Sequence, residues 1–322
     1  MLNINKSTQK ELDRVQSIIN KELITEQTIK EIYDYIFQSE GKKTRALISL
    51  LSSRSKNTTL SKRIQLASVI ELLHTATLVH DDVVDESNLR RGSKSVNQVW
   101  TNSYSVLIGD FIYSKAFILM VKLNQAGILG ELANATNDIA RGEMIQLEMI
   151  EKKLSLTLAD LLKVSYLKTG RLFEASAKTG AILAGAKNNE IKNFGLLGRS
   201  LGIAFQIQDD ILDYKSFKLN TGKPVLKDFK EGKITFPLFY AIQNATLKDK
   251  KFLLDNLGKK NIALSKQKKI YDLVISKPSI KETQALLEQY LCETKKYLSK
   301  LNNHPSYDEM LNLINFSKKR RK

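Results

Sequence analysis

Two copies of one acidic pattern, each set in apolar sequence, constrain this chain more than any other feature. The first copy lies in ELLHTATLVHDDVVDESNLRRG, where Asp81, Asp82 and Asp85 follow a run of leucines and valines. On a helix, residues three and four positions apart share a face, so we expect these carboxylates to crowd together and repel one another. A buried carboxylate cluster needs a counter-charge. The pattern therefore predicts a cation on that face.

The second copy lies in GIAFQIQDDILDY, where Asp209, Asp210 and Asp213 repeat the spacing of the first. Two matching acidic faces predict one metal site between two helices. Carboxylate oxygens favour Mg²⁺ or Mn²⁺ over zinc, and Mg²⁺ takes few carboxylates and completes its shell with water and phosphate oxygens. We therefore expect a phosphorylated substrate.

The distribution of proline favours an all-α fold. The four prolines are Pro224, Pro237, Pro278 and Pro305, so the first 223 residues contain none. Apolar residues at helical spacing predict two helices from about residue 7 to 38, one from about 61 to 86, and three or four between 102 and 185. The alternation expected of strands is hard to find.

The formal net charge of +17 raises the possibility of nucleic-acid binding, because clustered basic residues bind phosphate backbones. Much of the lysine is scattered along the chain, however, as in a general composition bias. We expect no nucleic-acid partner, but a general attraction to polyanions and anionic membranes.

Three observations favour a cytoplasmic location. The first residues, MLNINKSTQKELDRVQ, are polar, and the one cysteine, Cys292, excludes an intrachain disulfide. The most hydrophobic region, residues 104–123, is interrupted by Asp110, Lys115 and Lys122. We therefore predict no membrane span.

Basic residues accompany both acidic clusters. Lys42, Lys43 and Arg45 begin an apolar helix, where positive charge opposes the helix dipole, and this favours an anion-binding role. His74 lies two turns before the first cluster and is either a core residue or a diphosphate contact. Arg90 and Arg91 follow that cluster, and guanidinium groups suit phosphate oxygens.

Further candidates lie nearer the second cluster. Lys168 and Thr169 occupy an apolar helix, where a single lysine usually extends its ammonium group to solvent. After the second cluster, a segment rich in Gly, Pro and Lys predicts a loop from which Lys223 and Lys233 could reach a bound anion. Helix is predicted to resume near Phe236.

Taken together, these motifs resemble those of the trans-isoprenyl diphosphate synthases, or polyprenyl synthetases, over nearly the whole chain. The matching motifs, in the order of the family, are GKKTR (41–45), HTATLVHDDVVD with RRG (to Gly92), GE (142–143), KTG (168–170), FQIQDD (205–210) and GKP followed by EGKITFP. The resemblance implies one all-helical domain over residues 1–322, built as a bundle around a central cavity, and a homodimer.

The resemblance also implies a reaction. About two to three Mg²⁺ ions, or Mn²⁺, would bind an allylic prenyl diphosphate and stabilise its diphosphate as leaving group. Isopentenyl diphosphate would attack the allylic cation and extend the chain. The implied metal ligands are Asp81, Asp85 and Asp209, with Asp82, Asp210 and Asp213 in support.

The family pattern carries the remaining roles. Lys42, Arg45, His74 and Arg91 resemble the isopentenyl diphosphate site, whereas Arg90, Lys168, Lys223 and Lys233 resemble contacts to the allylic diphosphate. Thr169 and Gln206 would face the cation or the diphosphate. The chain departs from the first motif of the family at Glu40 and Ala46, where glycine and proline are usual, but neither position replaces a phosphate contact.

Two small residues above the first acidic cluster, Ala76 and Thr77, predict the product length. They would face the growing chain, and family members that make short products tend to have bulky aromatics here. Open space predicts a long product, about C30 to C50 and centred on C40, as a quinone side-chain precursor. A shorter geranylgeranyl or farnesyl product is the alternative.

Other functions fit parts of the pattern. A terpene cyclase also uses an aspartate-rich helix, but its second metal motif normally mixes Asn, Ser or Thr with Glu. A noncatalytic subunit of a heteromeric synthase tends to lose the aspartates and basic anchors that this chain retains. Transient membrane association for release of a long product also fits.

Overall fold

The computed structural model describes residues 4–21, 25–38, 41–90, 92–151, 156–215 and 226–319. It confirms the all-α prediction. The helices are α1 (Lys6–Asn20), α2 (Gln27–Gln38), α3 (Thr44–Ser52), α4 (Leu60–Val84), α5 (Val96–Val99), α6 (Asn102–Lys122), α7 (Ala126–Glu151), α8 (Leu158–Ser165), α9 (Arg171–Leu183), α10 (Asn188–Lys215), α11 (Lys227–Lys230), α12 (Phe236–Asn244), α13 (Leu247–Asn256), α14 (Leu264–Val274), α15 (Lys277–Ser299) and α16 (Tyr307–Lys319).

Two elements depart from plain α-helix. A π-helical turn, Tyr166–Gly170, joins α8 to α9. Strands β1 (Leu89–Arg90) and β2 (Ser93–Lys94) form an antiparallel hairpin directly after α4, with Leu89 opposite Lys94. No pattern in the sequence predicts either element.

The two helices that carry the aspartate motifs lie at the centre of the bundle. Helix α4 packs against α6, α3 and α1, and α10 packs against α9 and α15. After an exposed first turn, nearly every turn of α4 contributes buried side chains, and polar residues line an exposed surface again only in its last turns. This explains why its sequence is apolar on all sides.

Helix α4 ends inside its own acidic motif. Thr59 caps its first turn by accepting a hydrogen bond from the backbone of Lys62, and the last helical residue is Val84. Asp85 is the C-cap, and its backbone N–H donates to the carbonyl of Asp81 at 2.8 Å. The third aspartate of the motif therefore lies just beyond the last helical residue.

A second, smaller hydrophobic cluster holds the segment that follows α10. It contains Tyr214, Leu226 and Phe229 together with residues of α12, α13 and α14. Leu226 has a left-handed backbone, with φ of 58°, and a side chain that is only 4% exposed. Burial of this side chain fixes the start of α11 and of the segment behind it.

Helix α6 is more apolar on its outer face than we expected. In the described part of the chain it alone is long and apolar enough to cross a membrane by length and composition, with one third of its most apolar window buried. Its inner face packs on α4. The outer face exposes Leu107, Ile118 and Val121.

Candidate active site

One cavity of about 310 Å³ lies between α4, α7, the π-helical turn, α10 and the segment around α11. Acidic and basic side chains both line it. The acidic side chains are Asp81, Asp85, Glu143, Asp210, Asp228 and Glu231, and the basic ones are Arg45, His74, Arg90, Lys168, Lys227 and Lys233. We call it the catalytic cavity. It brings Asp81 and Asp85 of the first motif together with Asp210 of the second, whereas Asp209 and Asp213 do not line it.

The three aspartates of the first motif do not share one face. Asp81 and Asp85 line the catalytic cavity, whereas Asp82 faces a second cavity on another side of α4. Successive helical residues lie about 100° apart, which explains the separation. Asp82 is 4% exposed and accepts bonds from Arg90, with Nε–Oδ1 of 3.0 Å and Nη2–Oδ1 of 2.5 Å. In this structure Asp82 therefore neutralises Arg90.

Asp81 lies in a site that disfavours its charge. Burial raises the pKa of this carboxyl to about 7, with a further contribution from the charge of Glu143 and an opposing one from Lys168. The Lys168 ammonium lies 2.6 Å from Glu143 Oε2 and 2.5 Å from Gln146 Oε1. Asp81 thus faces a lysine that another carboxylate already holds, and it would gain from a cation.

Asp85 has a basic partner of its own. Lys233 Nζ lies 2.8 Å from Asp85 Oδ2 and 2.9 Å from Glu231 Oε2. Burial alone would lower the pKa of Lys233, but the two carboxylates outweigh it and raise the pKa. The lysine is therefore charged and positioned at the cavity wall.

The second motif is held by neutral donors. Asp210 is buried and accepts hydrogen bonds from Gln206 Nε2 at 2.8 Å and from the backbone N–H of Phe236 at 3.1 Å. Burial, followed by the charge of Asp228, raises the pKa of Asp210 well above its usual value. Asp209 is half-buried and adds to that rise. The charge of Asp213 raises the pKa of the neighbouring Asp228.

Asp228 is a site residue that the sequence analysis missed. It lines the catalytic cavity, and burial, with the charge of Asp213, raises its pKa to about 6 against the opposing effect of Lys233. Lys227 and Glu231 of the same segment also line the cavity. In the sequence, the only indication that these residues belong to the site is their position near Lys233, in a segment with few apolar residues.

The π-helical turn positions Lys168 and Thr169. A π turn inserts one extra residue, and such turns often occur at functional sites. Both side chains line the cavity. Gly142 of α7 makes the approach possible, because a Cβ there would lie 2.7 Å from Leu167 Cβ. Thr169 Oγ1 donates to Gln206 Oε1 at 2.7 Å, which links the turn to Asp210 through Gln206.

The predicted isopentenyl diphosphate residues are partly brought together. Arg45 Nη1 and His74 Nε2 lie 3.0 Å apart in the catalytic cavity, and the Arg45 guanidinium is 4.7 Å from the Phe173 ring. Lys42 lies 5.7 Å from the Phe316 ring and does not line the cavity. Arg91 and Lys223, and the departure at Glu40, lie outside the described residues.

Of the two residues predicted to set the product length, only Thr77 lines the catalytic cavity. Its hydroxyl donates to the carbonyl of His74 at 2.8 Å. Ala76 is fully buried in the central core. The difference follows from the rotation of about 100° between successive residues of a helix.

The donor set fits Mg²⁺. Among the described residues, no three His, Cys, Asp or Glu side chains are close enough to form a complete metal cluster. The cavity nevertheless offers oxygen donors from both motifs, and burial disfavours the charge of Asp81, Asp210 and Asp228. Mg²⁺ keeps open positions for water and phosphate oxygens, so an incomplete carboxylate set suits it.

Comparison with known proteins agrees with this geometry. The chain is 41% identical over 244 residues to the octaprenyl diphosphate synthase of Escherichia coli, which covers 76% of this chain and 75% of that protein. A decaprenyl diphosphate synthase structure from Rhodobacter capsulatus superposes with a TM-score of 0.90 at 30% identity, covering 98% of both chains.

A second solved structure is equally similar. A polyprenyl synthase from Caulobacter crescentus, described as complexed with calcium and isoprenyl diphosphate, has a TM-score of 0.90 at 31% identity and covers 98% of this chain and 97% of its own. The family description "Polyprenyl synthetase" matches residues 26–274. The chain belongs to the polyprenyl synthetase family.

Proposed function

We propose that this protein is a long-chain all-trans-polyprenyl diphosphate synthase, which uses Mg²⁺ to condense isopentenyl diphosphate repeatedly with an allylic prenyl diphosphate. One observation carries the proposal: acidic residues of both motifs and basic residues of several elements line a single cavity. Carboxylates alone would bind a cation. Together with Arg45, Lys168 and Lys233, they suit a diphosphate and its metal ions.

The allylic diphosphate would lie between the two motifs. Mg²⁺ held by Asp81, Asp85, Asp209 and Asp210 would neutralise the diphosphate and stabilise it as leaving group. Lys168 and Lys233 would donate to its oxygens in place of Glu143 and Asp85, which they contact now. The calcium and isoprenyl diphosphate named for the relative from C. crescentus support this combination of ligands.

The cation left at C1 needs stabilisation without water. The hydroxyl of Thr169 and the carbonyl oxygen of Gln206 are fixed by their mutual hydrogen bond and present partial negative charge to the cavity. Leu161, Val164 and Leu172 supply apolar wall. Such a wall protects the cation from hydrolysis.

Arg45 and His74 would position the second substrate. Stacking against Phe173 fixes the Arg45 guanidinium, which would bind the diphosphate of isopentenyl diphosphate with His74. The double bond of that substrate forms a new bond to C1 of the cation. Loss of a proton then gives an allylic diphosphate longer by one isoprene unit, with inorganic diphosphate released.

The test is incubation of the protein with Mg²⁺, farnesyl diphosphate and labelled isopentenyl diphosphate, followed by separation of the dephosphorylated products by length. A ladder that ends at one long product supports the proposal. Absence of incorporation, also with geranyl or geranylgeranyl diphosphate, contradicts it and favours a noncatalytic partner subunit. A cyclic product from a prenyl diphosphate alone indicates a cyclase.

The product length depends on the α4 wall of the cavity. We expect products of about C40, because Thr77 leaves space that a bulky side chain would fill. Thr77→Phe should shorten the main product by several isoprene units, and Ala76→Tyr should act through repacking of the core. Chromatography of the dephosphorylated products measures this, and an unchanged product from both variants contradicts the assignment.

We further propose a cytoplasmic homodimer. The outer face of α6 exposes Leu107, Ile118 and Val121, and α7 exposes Met144. A second copy would bury this apolar surface, which a monomer in water rarely leaves open. Light scattering should give twice the mass of the chain, and Val121→Glu should shift it towards the monomer. Transient membrane contact would release the product.

A further inference from the structure

A larger cavity lies beside the catalytic cavity and has no role in the reaction described above. It measures about 790 Å³ and lies between the end of α7, the start of α8 and the end of α13. Its wall includes Met149, Ile150, Leu156, Leu254 and Leu257. A site of this size with an apolar wall and few polar groups is typical of small-molecule binding. We call it the side cavity.

The side cavity adjoins the catalytic cavity. Five residues line both: Gln146, Leu161, Val164, Lys233 and Ile234. Lys233 thus carries its charge at the boundary, where Asp85 and Glu231 hold it. An anion at this ammonium could extend an apolar chain in either direction.

Two glycines form part of the wall of the side cavity next to Lys233. Gly232 and Gly258 both have positive φ, of 81° and 79°. The N–H of Gly258 donates to the carbonyl of Phe229 at 3.0 Å. A Cβ on Gly232 would lie 3.0 Å from Ile150 Cγ2. The backbone itself forms this wall, so the space next to Lys233 remains open.

We propose that the side cavity binds the isoprenoid chain of a prenyl diphosphate whose diphosphate remains at Lys233. The identity of the ligand rests on the proposed function. The chain then lies among residues of α7, α8 and α13 and not along α4, where Thr77 lines the elongation side. A product bound in this way is not aligned for another condensation, and it leaves the elongation path free.

Methionine signals offer a direct test. The chain has five methionines, Met1, Met120, Met144, Met149 and Met310, and of the four that the structure describes only Met149 lines the side cavity. The full-length protein, labelled at the methionine methyl groups, is titrated with farnesol, dodecanol and a non-reactive thiolodiphosphate of farnesol. We expect both isoprenoids to shift the Met149 signal, with dodecanol about tenfold weaker because it lacks the branched shape.

A matched pair of variants locates the site. Leu254 lines the side cavity. Leu247 lies about two helical turns earlier on α13 and is 89% exposed. Leu254→Asp should weaken binding at Met149 about tenfold, because it places a carboxylate against an apolar chain. Leu247→Asp should leave binding unchanged. Unmoved Met120 and Met310 signals show that the central core of each variant is folded, and unchanged amide protection in α13 shows the same for the smaller cluster.

Three results would overturn the inference. A Met149 signal that saturating farnesol and its thiolodiphosphate leave unchanged excludes the site. An equal response to dodecanol shows a nonspecific apolar cavity. Equal loss in both leucine variants places binding elsewhere. Failure of the proposed function appears separately, as absence of isopentenyl incorporation, because the titration needs no turnover.

Discussion

The two aspartate motifs have the same spacing but different electrostatic surroundings. In the first motif, Asp82 is paired with Arg90 and Asp85 with Lys233. In the second, Asp210 accepts its hydrogen bonds from an amide side chain and a backbone N–H. The first motif is therefore balanced by basic side chains, whereas at Asp210 burial disfavours the charge and raises the pKa.

This difference indicates how each motif would respond to metal. Cations arriving at the first motif compete with lysine and arginine, which become available to hold diphosphate oxygens. Cations arriving at Asp210 would instead offset the cost of burying its charge, which is what raises the pKa of this carboxyl. Equal sequence spacing thus does not imply equal hydrogen-bond partners or equal burial of charge.

The largest expected effect is loss of catalysis in the first motif. Asp81→Ala should lower the rate of isopentenyl incorporation roughly a thousandfold or more, because it removes a carboxylate that faces the leaving group. Asp110→Ala on α6, where the carboxylate is exposed, is the matched control. A loss of less than tenfold in Asp81→Ala would contradict the assigned role.

The second-largest expected effect is a difference between the two motifs in their contribution to the free energy of unfolding. In metal-free protein, Asp82→Asn should lower the free energy of unfolding by roughly 1–3 kcal/mol, because Arg90 loses a paired carboxylate. Asp210→Asn should change it by less than about 1 kcal/mol, because burial already disfavours the charge that this substitution removes. Denaturant unfolding measures both. If Asp210→Asn is the more destabilising variant, the comparison fails.

The smallest expected effect is on the pH dependence of metal binding. The pKa of Asp81 is about 7, above its usual 3.8, so below pH 7 a cation must displace its proton. Apparent Mg²⁺ affinity should rise by up to about tenfold per pH unit below 7 and level off above it. The folded state holds this proton more tightly than the unfolded state does. The free energy of unfolding should therefore fall as pH rises from about 4 to 7.

Calorimetric titration of Mg²⁺ between pH 6 and pH 8, with a non-reactive diphosphate present, measures this dependence. Asp81→Asn should bind Mg²⁺ more weakly and remove most of the slope. A slope that persists in this variant would assign the proton to Asp210 or Asp228.

The sequence was sufficient for the helices, the all-α class and the meeting of the two motifs, because helical spacing and buried charge act locally. It could not place Asp82. The hairpin after α4 returns Arg90 to that carboxylate, and no local pattern predicts the hairpin. Glu143 and Asp228 enter the cavity through tertiary packing, which residue spacing does not report.

The outer face of α6 shows a second limit. Asp110, Lys115 and Lys122 interrupt its apolar sequence, which favoured an ordinary soluble helix. The structure buries one side against α4 and leaves apolar residues on the other. A sequence pattern shows how many apolar residues a helix has, but not which neighbour covers each side.

The left-handed backbone of Leu226 has a consequence for local opening. That conformation costs about 1–2 kcal/mol for a branched side chain, and the small cluster with Tyr214 and Phe229 offsets the strain. The segment with Lys227, Asp228 and Lys233 thus depends on a unit separate from the central core. In hydrogen exchange, it can open with α13 and α14 while the bundle stays closed. The chain can thereby release its hold on a diphosphate while the part of the cavity wall that belongs to the helical bundle keeps its place.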